Sequence, residues 1–134
     1  MDTGKSALGL DGNVAAALGY PIGIIAIISV IMEKENNFVK FHAIQSLCFH
    51  VAMIIVMIAL WIIFAILLVG GAAASVATDS GALGGLAGML GGLLWLVFMV
   101  LYFGGLIFAA VKAYQGAMFK LPIIGNMAAK WAGV

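Results

Sequence analysis

Charge is what this chain has least of. Only 8% of its 134 residues are Asp, Glu, Lys or Arg, against about 25% in an ordinary soluble domain. Too few polar side chains remain to coat a water-facing surface, which excludes a soluble globular fold. Arginine is absent, and six scattered lysines leave a net charge of +1, so there is no basic patch for nucleic acid. Disorder is excluded as well, because it needs low hydrophobicity and 66% of these residues are apolar. Cys48 is the single cysteine and can form no internal disulfide. The sequence also lacks a phosphate-binding loop, a zinc spacing and a carboxylate pair, so no enzyme is expected. No segment alternates with period two, and a backbone in lipid must pair within a helix or a closed barrel.

What is present is long apolar runs, with a mean hydropathy of +1.25. A hydrocarbon core of ~30 Å takes about 20 helical residues. Residues 13–32, 47–69 and 86–111 each supply such a run, separated by the charged Glu33–Asn37 and by a Gly/Ala/Ser/Thr stretch from Gly70 to Gly85. The expectation is an all-α integral membrane bundle of three spans, forming one domain over residues 1–134, with residues 113–134 interfacial. The first run is too long for the apolar part of a signal peptide and lacks a small-residue cleavage site. Pro21 within it removes the normal intrahelical donor to the Ala17 carbonyl and predicts a kink. Helix two, free of Pro and Gly from Phe38 to Val69, can run ~50 Å, with Asn36 or Asn37 as its N-cap. Residues 38–46 then sit at the membrane interface before the apolar run begins.

Five of the six lysines (Lys34, Lys40, Lys112, Lys120 and Lys130) fall on one side of a three-span arrangement, and Lys5 falls on the other. The positive-inside rule then places the N-terminus outside and the C-terminus in the cytoplasm of an inner (plasma) membrane. Gly81 with Gly85, and Gly84 with Gly88 and Gly92, form rows stepping by one helical turn, the pattern that lets membrane helices approach closely. Their partner is another helix of this chain or a second copy. Three short helices bury little against one another, so a homo-oligomer or a membrane-protein partner is expected beside the lipid bilayer.

His42, Gln45, Ser46 and His50 carry the polar chemistry of helix two. They lie within roughly 140° of one another on a helical wheel, and the stripe must face protein or water rather than lipid. Three readings stay open. In the first, Gln45 and Ser46 bond across to another helix, with His42 at the water boundary. In the second, the stripe lines a polar cavity for solute binding or permeation. In the third, His42 or His50 ligates haem or a metal; the two are two turns apart and have no carboxylate to orient them. No cofactor and no metal is assigned. After Val111, Gly116 and Pro122 interrupt the helix, while Phe119, the lysines and Trp131 suit an interfacial segment with a short last helix capped by Asn126.

The runs Phe38-Val39-Lys40-Phe41-His42-Ala43-Ile44-Gln45-Ser46 and Lys112-Ala113-Tyr114-Gln115-Gly116, continued by Phe119-Lys120-Leu121-Pro122, resemble the two signatures of a family of small uncharacterised prokaryotic multi-pass membrane proteins. That family is distantly similar to the Tic-twenty component of the chloroplast inner-envelope translocon. The resemblance implies a small helical membrane protein without an established activity and an association with protein translocation or insertion. It marks Lys112, Tyr114, Gln115, Phe119 and Pro122, with His42, Gln45 and Ser46, as signature residues. The functional expectation is a non-enzymatic, oligomeric scaffold or accessory subunit, whose cytoplasmic face joins residues 42–46 to the segment from Tyr114 to Gly125.

Overall fold

The computed structural model describes residues 3–134. It contains five helices: α1 (Gly12–Leu18), α2 (Gly23–Met32), α3 (Asn37–Ala77), α4 (Ala82–Tyr114) and α5 (Ile124–Ala132). No strand occurs among the described residues; Lys5 and Asp11 form an isolated bridge and an exposed ion pair of 2.6 Å. Two helices, α3 and α4, are long and apolar enough to cross a membrane, not three.

The expected first span is corrected by its own sequence. Residues 13–32 break at Gly19–Ile22 into α1 and α2, of 7 and 10 residues. Pro21 cannot donate to Ala17, and the Tyr20 N–H takes that carbonyl instead at 3.2 Å, tightening the last turn of α1. The chain then doubles back. Gly19 lies against α2, where a Cβ would make an ordinary 3.6 Å contact with the Ala26 Cβ. The residues before α1 meet those after α2, because the buried Glu33 carboxylate accepts the Ala7 N–H at 2.8 Å.

The loop expected over residues 70–85 is also mostly helix. Its alanines favour helix, so α3 continues to Ala77 and α4 begins at Ala82, leaving only the short turn at residues 78–81. Asn36 caps α3 as anticipated, its Oδ1 accepting the Val39 N–H at 3.2 Å. Asn126 does not cap α5. It lies inside that helix, whose first N–H groups are taken by the carbonyls of Pro122 and Leu121 at 2.7 and 2.8 Å.

Helices α3 and α4 run through two compact units, residues Met1–Ala52 with Gly104–Val134, and residues Met53–Phe103. In the first, α5 lays Ala128, Ala129 and Ala132 on Phe41 and Ile44, while Ala16 and Tyr20 pack on Ala109 and Ala113. In the second, α3 and α4 pack through small residues. A Cβ on Gly71 would sit 2.6 Å from that of Ala87, and one on Gly91 would collide with the Phe64 ring. Gly84 faces Ser75, whose Oγ accepts the otherwise unpaired Gly84 N–H at 2.8 Å. Gly81, Gly85, Gly88 and Gly92 face open space. Trp61 is exposed, and its ring meets that of Trp95 edge-on with centroids 5.9 Å apart.

These contacts separate the glycines into two classes. Gly91→Leu is expected to destabilise the detergent-purified protein by about 1–3 kcal/mol through overpacking against Phe64. Gly85→Leu is expected to leave monomer stability unchanged in the same thermal melt.

Candidate functional site

Residues 42, 45 and 46 lie on consecutive turns of one face of α3, on the part of the helix that precedes its apolar run. His42, Gln45 and Ser46 are each 0% exposed. The structure joins them to two irregular stretches of backbone: the elbow between α1 and α2, and the segment between α4 and α5. His42 therefore lies in the interior rather than at the water boundary.

The bonding directions can be assigned from the partners. The Ala117 carbonyl can only accept, so His42 Nε2 carries the proton and donates to it at 3.1 Å. His42 Nδ1 is then an acceptor, and the Tyr20 hydroxyl donates to it at 3.0 Å. The Tyr20 oxygen in turn accepts from Gln45 Nε2 at 2.7 Å. Gln45 also donates to the Phe119 carbonyl at 3.1 Å, and its Oε1 accepts the Leu121 N–H at 3.0 Å. Ser46 Oγ donates to the Gly19 carbonyl at the end of α1 at 2.7 Å. Phe38, Phe41 and Tyr20 stand edge-on to the His42 ring, with centroids 4.7–5.9 Å away.

This arrangement is a clasp. Each polar side-chain atom of Gln45 is engaged, both ring nitrogens of His42 are engaged, and three carbonyls and one N–H outside regular helix find partners. The Nδ1 lone pair that a metal or haem iron would need is taken by Tyr20. Two cavities lie elsewhere. A crevice of about 500 Å³ is lined by Lys5, Glu35, Asn36 and Met118 among others, and an apolar one of about 230 Å³ by Trp61, Phe64, Gly91 and Trp95 among others.

His50 is not part of the clasp. It is half-buried, with Nδ1 2.8 Å from the Ser46 carbonyl of its own helix. The C-terminal signature residues act largely through their backbone. The Tyr114 carbonyl accepts from Asn13 Nδ2 at 2.9 Å while its ring is exposed. Phe119 contributes its carbonyl to Gln45 and its ring to Phe108 at 5.1 Å. Lys112 Nζ lies 5.6 Å from the Phe108 ring centroid, and Gln115 and Pro122 are exposed. Tyr20 is the participant that sequence reasoning overlooked; a phenol directly before Pro21 inside an apolar run was the available signal.

Burial pushes the His42 imidazole down to about 4, partly offset by its bond to the Ala117 carbonyl. In an unfolded chain it titrates near 6.5. Protons therefore bind the unfolded state first, and the stability present above pH 6.5 is lost progressively as pH falls towards 4, by about 3 kcal/mol at most. Thermal melts over that range should show the decline. His42→Gln is expected to lower stability at pH 7.5 and to flatten the slope.

A family model described as the magnetosome magnetite crystal formation protein family matches residues 7–128. A UPF0132 membrane protein of Methanocaldococcus jannaschii is 38% identical over 130 residues, covering 96% of each chain. A UPF0132 membrane protein of Archaeoglobus fulgidus is 33% identical, covering 90% of this chain and 95% of its own length. A second such protein from Methanocaldococcus jannaschii is 29% identical over 93% of this chain and 73% of its own length. No solved structure matches. Spanning both signature segments and the clasp between them, these matches establish that the chain belongs to the magnetosome magnetite crystal formation protein family, among prokaryotic membrane proteins of unknown function.

Proposed function

We propose that this chain is a non-enzymatic membrane module, a scaffold or accessory subunit that assembles with further copies or with another membrane protein. The observation that carries the reading is the saturation of the clasp. His42, Gln45 and Ser46 are wholly buried and bonded to the chain itself, so their chemistry is spent on shape. What they shape is a preformed face that joins the first turns of α3 to the segment from Tyr114 to Gly125. The family description ties its members to magnetite crystal formation, and the Tic-twenty resemblance points to translocation or insertion. The reading takes what these share, a small membrane part serving a larger membrane process.

The open glycines supply the assembly surface. Gly85, Gly88 and Gly92 have no neighbour within 4 Å where a Cβ would stand, and a small-residue row is the kind of face on which membrane helices associate. A defined oligomer or a co-purifying membrane protein is expected in mild detergent by native mass spectrometry. A stable lone monomer would count against the proposal. Gly88→Leu is expected to shift any oligomer to monomer without lowering monomer stability.

Gln45→Leu separates this reading from a permeation pathway. It strands the Phe119 carbonyl and the Leu121 N–H, at about 1–3 kcal/mol for each buried unpaired group. The expected result is a lower melting temperature with unchanged solute flux in liposomes. Altered flux at unchanged stability would favour a polar path along α3.

A further inference from the structure

We infer that α1 and α2 form a re-entrant hairpin that enters one leaflet and returns, so that the residues before α1, the residues after α4 and all six lysines share the cytoplasmic face. Three hydrogen bonds carry this topology. The Ala7 N–H meets the Glu33 carboxylate at 2.8 Å, Asn36 Nδ2 meets the Thr3 carbonyl at 2.7 Å, and Asn13 Nδ2 meets the Tyr114 carbonyl at 2.9 Å. Groups that touch cannot stand on opposite sides of a hydrocarbon core of ~30 Å. The chain therefore arrives at α3 on the side where it began, and α4 ends on that side too.

Length and exposure place the hairpin in lipid. The ten residues of α2 rise ~15 Å, about half the hydrocarbon core. An apolar helix that short is a buried core helix, an interfacial element or a re-entrant one. A buried core helix is excluded, because Ile24, Ile27 and Ile31 on its outer face are 65%, 48% and 72% exposed. An open isoleucine face on a chain whose two long helices are themselves apolar enough to cross a membrane is met by the acyl chains of the adjoining leaflet. Non-helical backbone is tolerated at such depth only where protein covers it. The first half of the elbow meets that condition, since Gly19 and Tyr20 are buried and the Gly19 carbonyl receives Ser46 Oγ. In the exposed second half Pro21 has no N–H to satisfy, and the Ile22 N–H donates to the Leu18 carbonyl at 3.1 Å.

The charge pattern agrees. With three crossings, one lysine stood apart from five. With two crossings and a returning hairpin, the lysines all belong to the unit formed by residues Met1–Ala52 and Gly104–Val134. The turn between α3 and α4 carries only Asp79. The positive-inside rule then selects the cytoplasm for the lysine-bearing face without exception, replacing the outside N-terminus that three spans implied.

Single cysteines in a Cys48→Ala background test the topology in the full-length protein in its native membrane. Ala7→Cys and Lys130→Cys are expected to react with an impermeant maleimide only in inverted vesicles, and Ser80→Cys only in intact cells. Ile27→Cys is expected to lose labelling by the impermeant reagent from both sides while still reacting with a permeant one. Labelling of Ala7→Cys and Ser80→Cys from the same side would overturn the hairpin. Free reaction of Ile27→Cys with the impermeant reagent would place α2 in water and overturn its insertion. All four side chains lie on the outer surface of the protein, away from residues 42–46, so the substitutions leave the clasp intact.

Discussion

Backbone groups that leave a regular helix away from water must find partners, and the architecture around residues 42–46 follows from that requirement. Pro21 breaks the first apolar run, and the chain between Gly116 and Ile123 is not helical. Both stretches present carbonyls and N–H groups that α-helical bonding does not satisfy. An unpaired buried group costs about 1–3 kcal/mol, so a fold that left several of them open would not hold. Helix α3 solves this as a rigid rod. Its side chains at positions 42, 45 and 46 emerge on one face and reach the elbow and the C-terminal segment at once. Tyr20 closes the arrangement by donating to His42 and accepting from Gln45.

The two compact units therefore use different physics. Around the clasp, directional bonds are supplemented by alanine contacts on Phe41 and Tyr20. Between residues 53 and 103, helix pairing rests on close approach at Gly71, Gly84 and Gly91. Lipid chains are as apolar as leucine, so burying leucine there gains little, and dispersion at short backbone separation takes over. The large side chains point outward instead, with Ile66, Val69 and Leu96 among the exposed residues. A face shaped by a saturated polar network suits the assembly role proposed above.

Much of the site was legible beforehand because burying polar groups in a membrane helix is costly. His42, Gln45 and Ser46 had to face inward, and the lysine pattern put them on the same side as the segment after Val111. The bonding itself was not legible. The signature residues there engage mainly through the carbonyls at 114, 117 and 119, and a carbonyl has no letter in a sequence. Tyr20 was passed over because an aromatic in an apolar run reads as filler until its hydroxyl is located. The glycines were legible as packing residues without a direction. Only the register of α3 against α4 separates Gly84, which touches a neighbour, from Gly81, Gly85, Gly88 and Gly92, which do not, and brings in Gly91, which lay outside those rows.

Composition by itself determined that helices in lipid were the only solution, because 8% charge cannot clothe a soluble surface. The same pattern anticipated the two long apolar helices, the burial of residues 42, 45 and 46 and the break at Pro21, along with a third span that the structure replaces by two short helices. Tertiary structure decided whether that break was a kink in a crossing helix or a reversal of direction. A proline removes one hydrogen bond wherever it stands. Which way the chain goes next depends on which partner receives the freed groups, and here that partner lies on α3, more than twenty residues away.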